Sequence, residues 1–281
     1  MAQQKKLLLL GYGDLAAGCA ALFLQDGHKV TAVARSQKRL ISGLTFWQGA
    51  ITEPALRRRL LGEHFDTVIV TVTPDSYDDG GYKFAYVDTA RYLVELWGDP
   101  ALVPKHLLFV SSTSVYGQCE GEWVDEQSDT SPVRYAGKRV LEAEHIFRSS
   151  QLVTTIVRFS GIYSKERDFL VRQVREGKGG DDNYTNRIHR DDCVAVLKHL
   201  SEMRWHSENL APIYLASDSS PVRSKEIRSW LAKRLHIAPT SLQMSANDAG
   251  RAGNKRCDNR LLLETGYEFI YPTYESGYDF L

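Results

Sequence analysis

Long apolar runs are missing from this sequence, since its longest purely aliphatic stretch is Leu7–Leu10. A segment that spans a bilayer needs about 20 apolar residues. We therefore expect no transmembrane segment and no membrane partner. Lys5 and Lys6 precede the stretch, but a glycine turn follows it at once, so we also expect no signal peptide.

Cysteine and net charge are scarce as well. The four cysteines, Cys19, Cys119, Cys193 and Cys257, are far apart, and no Cys-x-x-Cys occurs. This pattern favours reduced thiols in a cytoplasmic protein over a disulfide framework or a zinc site. The 35 Lys and Arg residues balance the 35 Asp and Glu residues. Because a protein that binds nucleic acid should be basic, we do not expect nucleic acid as a partner.

What the sequence does contain is an alternation of strands and helices over its first two thirds. It predicts strands over 7–10, 29–34, 44–48, 67–72, 106–110 and 153–157. It predicts helices over 14–26, from an N-cap at Thr52 to Gly62, over 82–97 and over 135–148. Such alternation is typical of an α/β protein with a parallel sheet, here a doubly wound sheet of the Rossmann type.

After Gly161 the pattern changes. The Gly- and Asp-rich stretch Gly177–Asn183 indicates a mobile loop. Beyond it the sequence predicts a helix capped by Asp191 or Asp192, a strand over 213–216 and a helix over 224–235. With 281 residues, the chain has room for one large or two small domains.

The segment Gly11-Tyr12-Gly13-Asp14-Leu15-Ala16 matches G-x-G-x-x-G/A between the first strand and the first helix. Gly11 permits the tight turn, Gly13 lets the backbone approach a pyrophosphate, and the small Ala16 lets the helix pack on the strand. The helix N-terminus attracts phosphate. We expect Gly11, Gly13, Asp14, Leu15 and Ala16 to bind a dinucleotide. The alternative is that the glycines only permit the backbone turn and bind no cofactor.

The end of the second strand bears on which dinucleotide binds. An NAD site usually has a carboxylate there for the ribose hydroxyls, but Arg35 and Ser36 follow Ala34 instead. Arg35 and Ser36 suit a 2′-phosphate, and Lys38 or Arg39 is the alternative phosphate ligand. The pattern therefore favours NADP over NAD, unless the loop is simply basic and solvated.

Further motifs follow in order: Ser111–Gly117, Tyr135–Glu144, Arg158–Tyr163, Ile188–Asp192 and Tyr267–Tyr278. With the glycine turn, they make nearly the whole chain resemble the extended short-chain dehydrogenase/reductases, the NAD-dependent epimerase/dehydratase family. The resemblance implies an NAD(P)-binding Rossmann domain over 1–160. It implies that 161–281 is mostly a small C-terminal substrate lobe, with some segments returning to the Rossmann sheet.

The resemblance also implies a Ser–Tyr–Lys site. Ser112 would bind the reacting oxygen, and Tyr135 would act as general acid/base while hydride moves to or from the nicotinamide. A free tyrosine has a pKa of about 10 and needs a nearby cation to ionise at neutral pH. Arg139 stands where the family has Lys, and Lys138 lies three residues after Tyr135. Both neighbour Tyr135 on a helix, so either could serve.

Other residues complete the predicted site. We expect further cofactor contacts from Thr71, Val72, Ser111, Arg158, Phe159 and Ser160. We expect substrate contacts from Thr113, Tyr163, Arg187, His189, Lys255 and Arg256. The sequence also departs from the family, since Tyr86 stands at a usual Asn and Thr113-Ser114 replace the Asp-Glu of sugar 4,6-dehydratases. These changes argue against that reaction and raise the question of catalytic competence.

Three charged segments have alternative interpretations. Asp75–Gly81 follows the fourth strand and suggests a lid rather than a metal site. His189 with Asp191 and Asp192 suggests a helix start rather than a metal site, and we expect no metal. Arg251, Lys255 and Arg256 suit an anionic substrate, but a solvated basic loop would have the same composition.

The leading hypothesis is an NAD(P)-dependent oxidoreductase or epimerase acting on a small hydroxy or carbonyl substrate, sugar-like or anionic. The alternative is a nicotinamide-binding sensor or partner-binding protein that has lost turnover. The sequence does not separate epimerase from reductase and does not name the substrate. In relatives the helix over 135–148 helps to form dimers, so a homodimer is a further expectation.

Overall fold

The computed structural model describes residues 3–244 and 253–281. The strands are β1 (Lys6–Leu10), β2 (Lys29–Ala34), β3 (Thr45–Gln48), β4 (Thr67–Val70), β5 (Leu107–Ser112), β6 (Glu122–Val124), β7 (Thr154–Phe159), β8 (Gly161–Tyr163), β9 (Lys178–Gly180), β10 (Tyr184–Thr185), β11 (Arg187–His189), β12 (Ile213–Ala216), β13 (Val222–Arg223), β14 (Gln243–Met244) and β15 (Lys255–Cys257). The helices are α1 (Asp14–Gln25), α2 (Pro54–Leu61), α3 (Asp79–Tyr82), α4 (Thr89–Leu96), α5 (Tyr135–Arg148), α6 (Phe169–Arg175), α7 (Arg190–Trp205), α8 (Ser224–Arg234), α9 (Arg260–Leu263) and α10 (Tyr274–Gly277).

The chain divides into two compact units that interleave along the sequence. The first unit comprises 1–111, 135–157 and 194–214. The second comprises 112–134, 158–193 and 215–281. The segment 112–134 thus belongs to the second unit although it precedes α5, and most of α7 belongs to the first.

A seven-stranded sheet forms the centre of the first unit, in the order β12-β7-β5-β4-β1-β2-β3. The pairs β1–β2, β2–β3, β1–β4 and β4–β5 are all parallel. Strand order reverses at β1, which lies between β2 and β4, and doubly wound folds bind their ligands at such a switch point. The predicted Rossmann-type α/β fold is confirmed.

The central strands are apolar because both of their faces are covered. Leu7, Leu8, Leu9 and Leu10 of β1 are at most 1% exposed. Such continuous burial is what a parallel sheet with helices on both sides requires. Four large aromatic side chains belong to the apolar core of this unit: Phe65, Trp97, Phe109 and Phe147.

A separate apolar core holds the second unit together. Helices α6 and α8 contribute Val171, Val174, Ile227 and Leu231, which are all nearly inaccessible to solvent. Aromatic residues close to the C-terminus pack onto them, with Tyr163 and Tyr278 stacked at a centroid separation of 4.5 Å. The last residues of the chain are therefore part of this core.

Several local predictions are wrong. The N-cap of α2 is Glu53 rather than Thr52. The helix predicted over 82–97 begins at Asp79 and contains a π-helical stretch, Lys83–Asp88, between α3 and α4. The stretch 177–183 is not simply a loop, because β9 forms there and pairs with β14.

Asp192 also has another role than the predicted helix cap. It lies within α7, and its carboxylate accepts hydrogen bonds from Tyr267 OH at 2.8 Å, Ile270 N at 2.7 Å and Tyr271 N at 3.0 Å. Asp192 therefore anchors the segment that leads to the C-terminus. In the part of the chain that the structure describes, no helix has the length and apolarity needed to cross a membrane.

Candidate functional site

In the glycine turn, Gly11 is closely packed, whereas Gly13 faces open space. Gly11 has φ +90°, and its N–H donates to Val33 O at 3.0 Å. A Cβ on Gly11 would lie 2.9 Å from Val72 N and 3.0 Å from Thr71 O, so only glycine fits. Nothing lies within 4 Å of the Cβ position of Gly13, the N-cap of α1. The space before this helix N-terminus suits a phosphate group.

Neighbouring residues hold the turn in place. Thr71 Oγ1 donates to Gly11 O at 2.6 Å, and Asp14 Oδ1 accepts from Leu15 N at 2.9 Å. Ala16 is fully buried, so a larger side chain there would push α1 off the sheet. These contacts explain why the motif has these residues, while their contact with a cofactor stays a prediction.

Arg35 follows β2 and is bound by a carboxylate. Its Nη1 and Nη2 atoms both pair with Asp75, with Nη2 2.6 Å from Oδ1. This hydrogen-bonded pair lowers the pKa of Asp75. The side chains are about half and two thirds exposed, so the pair lies at the surface. The predicted 2′-phosphate ligand thus has an anionic partner within the chain, whereas Ser36 is exposed.

Tyr135 is the first residue of α5, as predicted, and is 40% exposed. Its hydroxyl donates to the backbone carbonyl of Tyr77. Its ring packs edge-on against Tyr82, with the centroids 5.5 Å apart. We call residues 75–82, which follow β4 and supply Asp75, Tyr77 and Tyr82, the strap.

Tyr86 extends this row of aromatic rings into the core. It packs against Tyr82 with centroids 5.7 Å apart and edge-on against Phe109 at 6.3 Å. Burial raises the pKa of Tyr86 to about 12, so its hydroxyl stays neutral. Tyr86 therefore supports the strap and α5 by packing, where an Asn would act by hydrogen bonding.

Arg139 and Lys138 differ in their partners. Arg139 binds Asp79 of the strap through Nε at 2.7 Å and Nη2 at 2.8 Å, and binds Glu142 through Nη1 at 2.8 Å. The hydrogen bonds from Arg139 lower the pKa of Asp79. Lys138 is exposed and has no carboxylate within 4 Å among the described residues. Among the described residues, Lys138 is thus the cation on this turn of α5 that forms no ion pair, although its charge also helps to lower the pKa of Asp79.

Ser111, at the carboxyl end of β5, is buried and donates to Glu144 Oε1 at 2.5 Å. Glu144 lies on α5 and is fully buried. Its role had no signal in the sequence, where it is one of two acidic residues on that helix. Ser111 therefore links β5 to α5 within the first unit, whatever contact it makes with a cofactor.

In the second unit, Ser112 and Thr113 begin a short 3₁₀ turn. Ser112 is half-buried, and its Oγ accepts from Ser114 N at 3.1 Å. Tyr116 follows and donates to Asp125 O at 2.7 Å. Burial raises the pKa of Tyr116, so it remains a neutral donor.

The motif at the end of β7 is buried rather than open. Arg158 is 2% exposed, with Nη1 2.9 Å from Tyr116 OH and its guanidinium over the Tyr116 ring at 5.0 Å. Phe159 is 2% and Ser160 5% exposed. Ser160 Oγ has no hydrogen-bond partner among the described residues. These three positions, predicted to touch the cofactor, serve the interior of the second unit in this structure.

The predicted substrate residues Tyr163, Arg187 and His189 are also buried. The His189 ring lies between Tyr163, at 5.3 Å, and Tyr271, at 4.1 Å, and burial lowers its pKa. Arg187 donates through Nη2 to Thr185 Oγ1 at 2.5 Å. The His189 ring is therefore packed mainly against aromatic rings.

Lys255 and Arg256 lie in a strand, not in the flexible basic segment that the sequence suggests. Strand β15 pairs in parallel with β6, and Lys255 is 2% exposed. The Arg256 guanidinium lies between the rings of Trp123 and Tyr184, 4.9 Å from each centroid. Arg251 lies outside the described residues. Burial lowers the pKa of Lys255.

Asp218 and Arg187 form a further buried group that the sequence did not indicate. Both have a polar atom, Oδ2 and Nη1 respectively, that is buried without a hydrogen-bond partner among the described residues, as has the hydroxyl of Tyr163. Burial raises the pKa of Asp218 to about 7. Within residues 3–244 and 253–281, no group of three or more His, Cys, Asp or Glu side chains is placed to hold a metal ion.

Comparison with known proteins agrees with the geometry of the glycine turn. A family model described as NAD(P)H-binding matches residues 11–202. The chain belongs to this NAD(P)H-binding family. The match begins at Gly11 and extends into α7, so it includes the turn, the strap and Tyr135.

Solved structures agree with the resemblance to the epimerase/dehydratase family, which is confirmed. A protein from Methylobacillus flagellatus, provisionally described as an NAD-dependent epimerase/dehydratase, is 32% identical, with a TM-score of 0.81 over 99% of this chain and 98% of that one. MoeE5, solved with UDP-glucuronic acid and NAD, shares the fold at 20% identity, with a TM-score of 0.78 over 97% and 96% of the two chains. Protein YeeZ of Escherichia coli K12 is 26% identical over 215 residues, covering 74% of this chain and 72% of YeeZ.

Proposed function

We propose that this protein is an NAD(P)-dependent oxidoreductase or epimerase that acts on a small hydroxy or carbonyl substrate, sugar-like or anionic. The observation that carries the proposal is the glycine turn at the switch point of the sheet. Gly11 is fixed against Val72, and the space beside Gly13 leaves the N-terminus of α1 open to a pyrophosphate. The family match over 11–202 supports the same use of the turn.

The preferred cofactor in this proposal is NADP. No carboxylate follows β2, and Arg35 has the planar, bidentate group that suits a 2′-phosphate. Ser36 lies next to it and is exposed. Because the residues directly after β2 include no carboxylate for the ribose hydroxyls, NADH should bind less tightly.

In the proposed reaction, the nicotinamide supplies or accepts hydride. Tyr135 would donate or accept the proton at the reacting hydroxyl or carbonyl oxygen, and Ser112 would hydrogen-bond that oxygen. A tyrosine does this at neutral pH only beside a cation. Lys138 supports this role better than Arg139, since Asp79 and Glu142 compensate the charge of Arg139.

The substrate is the least constrained part of the proposal. The solved relative MoeE5 holds UDP-glucuronic acid, an anionic nucleotide sugar. The stacked Arg256 of the second unit keeps positive charge next to the rings of Trp123 and Tyr184. Such surroundings favour an anionic group attached to a planar base or a sugar.

Titration with NADPH and NADH, followed by nicotinamide fluorescence, tests the cofactor. Arg35→Gln should weaken NADPH binding and leave NADH binding nearly unchanged. Arg58→Gln, which removes one positive charge from the exposed face of α2, is the control. A preference for NADH that does not depend on Arg35 would contradict the NADP assignment.

Turnover is tested with Tyr135→Phe. The variant should lose activity in a screen of nucleotide sugars and hydroxy acids while it retains cofactor binding. An activity that does not change in this variant would exclude Tyr135 as the acid/base. A second candidate function, a nicotinamide-binding sensor, is favoured by one observation: the strap occupies both the Tyr135 hydroxyl and Arg139. In that case NADPH would bind but no substrate would be turned over.

A further inference from the structure

Three contacts join the strap to other parts of the first unit, and two of them involve residues that the proposed function requires, Arg35 and Tyr135. Asp75 pairs with Arg35, the Tyr77 carbonyl accepts from Tyr135 OH, and Asp79 pairs with Arg139. The partners come from separate parts of the first unit, namely the end of β2 and the first two turns of α5. The strap thus holds the proposed 2′-phosphate ligand and the proposed acid/base at the same time.

The position of the Arg35–Asp75 pair follows from the sheet order. Arg35 comes directly after β2, and Asp75 comes a few residues after β4. Strand β1 lies between these two strands, and the glycine turn follows β1. The pair therefore reaches across the carboxyl end of β1, where a Rossmann fold receives its dinucleotide.

The strap has an ordered structure of its own. Asp78 caps α3 by accepting from Gly81 N at 2.7 Å. The backbone of Gly81 lies so close to Ser76 that a Cβ would be 2.2 Å from the Ser76 carbonyl oxygen. Gly80 has no such restriction, because its nearest neighbour would be Asp78 Oδ1 at 3.4 Å.

We propose that the strap is a closed gate over the cofactor site, and that Asp75 competes with the 2′-phosphate of NADPH for Arg35. Carboxylate and phosphate both accept two parallel hydrogen bonds from a guanidinium, so only one of them can occupy a given edge of the Arg35 guanidinium at a time. Opening of the strap also frees the Tyr135 hydroxyl from the Tyr77 carbonyl. Asp75 is then a determinant of cofactor affinity and selectivity. This inference rests on the proposed role of Arg35 in NADP binding.

The first test changes charge. Asp75→Asn keeps the shape of the side chain but removes the charge that holds Arg35, and NADPH should bind about two- to five-fold more tightly, the range for an exposed ion pair. NADH, which lacks the 2′-phosphate, should change by less. Asp78→Asn is the matched control, because it removes one charge from the same strap and asparagine still caps α3.

The second test changes shape without changing charge. Gly81→Ala distorts the strap, because the new methyl group collides with Ser76 of the strap itself, whereas Gly80→Ala leaves room for the methyl group. NADPH should bind more tightly to Gly81→Ala than to the wild-type protein, and Gly80→Ala should resemble the wild type. Circular dichroism of all four variants would verify that the fold is retained.

Fluorescence titrations of these variants, with Arg35→Gln in parallel, separate the possible results. If Arg35→Gln weakens NADPH binding but Asp75→Asn and Gly81→Ala do not strengthen it, the gate is wrong and the proposed function stands. If Asp75→Asn weakens NADH binding, Asp75 is a ribose ligand and not a competitor, which also overturns the gate. If no variant binds either nucleotide, both the gate and the proposed function fail.

Discussion

Arg139 binds both carboxylate oxygens of Asp79, through Nε at 2.7 Å and Nη2 at 2.8 Å. The relationship assigns different tasks to two adjacent cations of α5. Arg139 connects the helix to the strap, and Lys138 keeps a charge without a close carboxylate among the described residues. We therefore expect Lys138 to take the place of the Lys in the family's Ser–Tyr–Lys site.

Replacement of Lys138 by Met is expected to lower kcat more than replacement of Arg139 by Met. The loss of the uncompensated cation removes the electrostatic support for the Tyr135 phenolate, and we expect a decrease of about ten-fold or more in kcat. Steady-state kinetics on the best substrate from the screen would measure it. A larger decrease for Arg139→Met than for Lys138→Met would assign the role to Arg139 instead.

Substitution of the two glycines of the turn by Ala is expected to affect two different properties, stability for Gly11 and NADPH binding for Gly13. Gly11→Ala places a Cβ 2.9 Å from Val72 N at φ +90°, and should lower the free energy of unfolding by about 2 kcal/mol or more. Gly13→Ala meets no neighbour, so stability should be retained, while NADPH binding weakens by about ten-fold as the methyl group occupies the phosphate position. Urea unfolding and fluorescence titration distinguish the two effects. Full NADPH affinity in Gly13→Ala would argue against a phosphate beside Gly13.

The C-terminal segment should detach when Asp192 is replaced by Ala. The substitution removes the acceptor of the Ile270 and Tyr271 N–H groups and leaves the Tyr267 hydroxyl only the backbone oxygen of residue 192, at a cost of about 3 kcal/mol in the free energy of unfolding. Limited proteolysis should then cleave near the C-terminus. Asp191→Ala is the control, because Asp191 is partly exposed and binds only its neighbours. Equal effects of the two substitutions would contradict the anchoring role.

Asp218 should make the second unit less stable as the pH rises toward neutrality. Its pKa is raised by burial from 3.8 to about 7, although Arg187 opposes this shift and Glu275 adds to it. Between about pH 4 and pH 7 the folded protein keeps a proton that the unfolded chain releases, so the free energy of unfolding falls over this range. Asp218→Asn should remove this part of the slope. Urea unfolding at pH 5 and pH 8 measures it, and an unchanged slope in the variant would contradict the assignment.

Local patterns were sufficient for the parts of the fold that are determined by nearby residues. The run Leu7–Leu10 indicated a strand buried on both faces, Gly11 and Gly13 indicated the turn, and α5 begins at Tyr135 and ends at Arg148 as predicted. Strand periodicity and glycine conformation act over a few residues, so a single sequence is enough to identify them. The epimerase/dehydratase resemblance rested on the same local motifs.

Contacts between distant residues were not accessible in this way. The sequence contains Arg35 and Asp75, but it carries no signal that the two side chains meet. They lie forty positions apart, after two strands that β1 separates in the sheet. The burial of Lys255 in β15 and the anchoring role of Asp192 were missed for the same reason, because each depends on which segments the fold brings together.

The sequence by itself therefore determined the Rossmann-type fold and the glycine turn, since both depend on short-range sterics and on the periodicity of apolar residues. The candidate acid/base, Tyr135, is what the resemblance to the epimerase/dehydratase family implies. Only the tertiary structure decided the partners of the charged residues. A guanidinium has no intrinsic preference between a bound phosphate and a carboxylate of its own chain. The partner of Arg35 is set by the strap, which the order of β2, β1 and β4 places beside it.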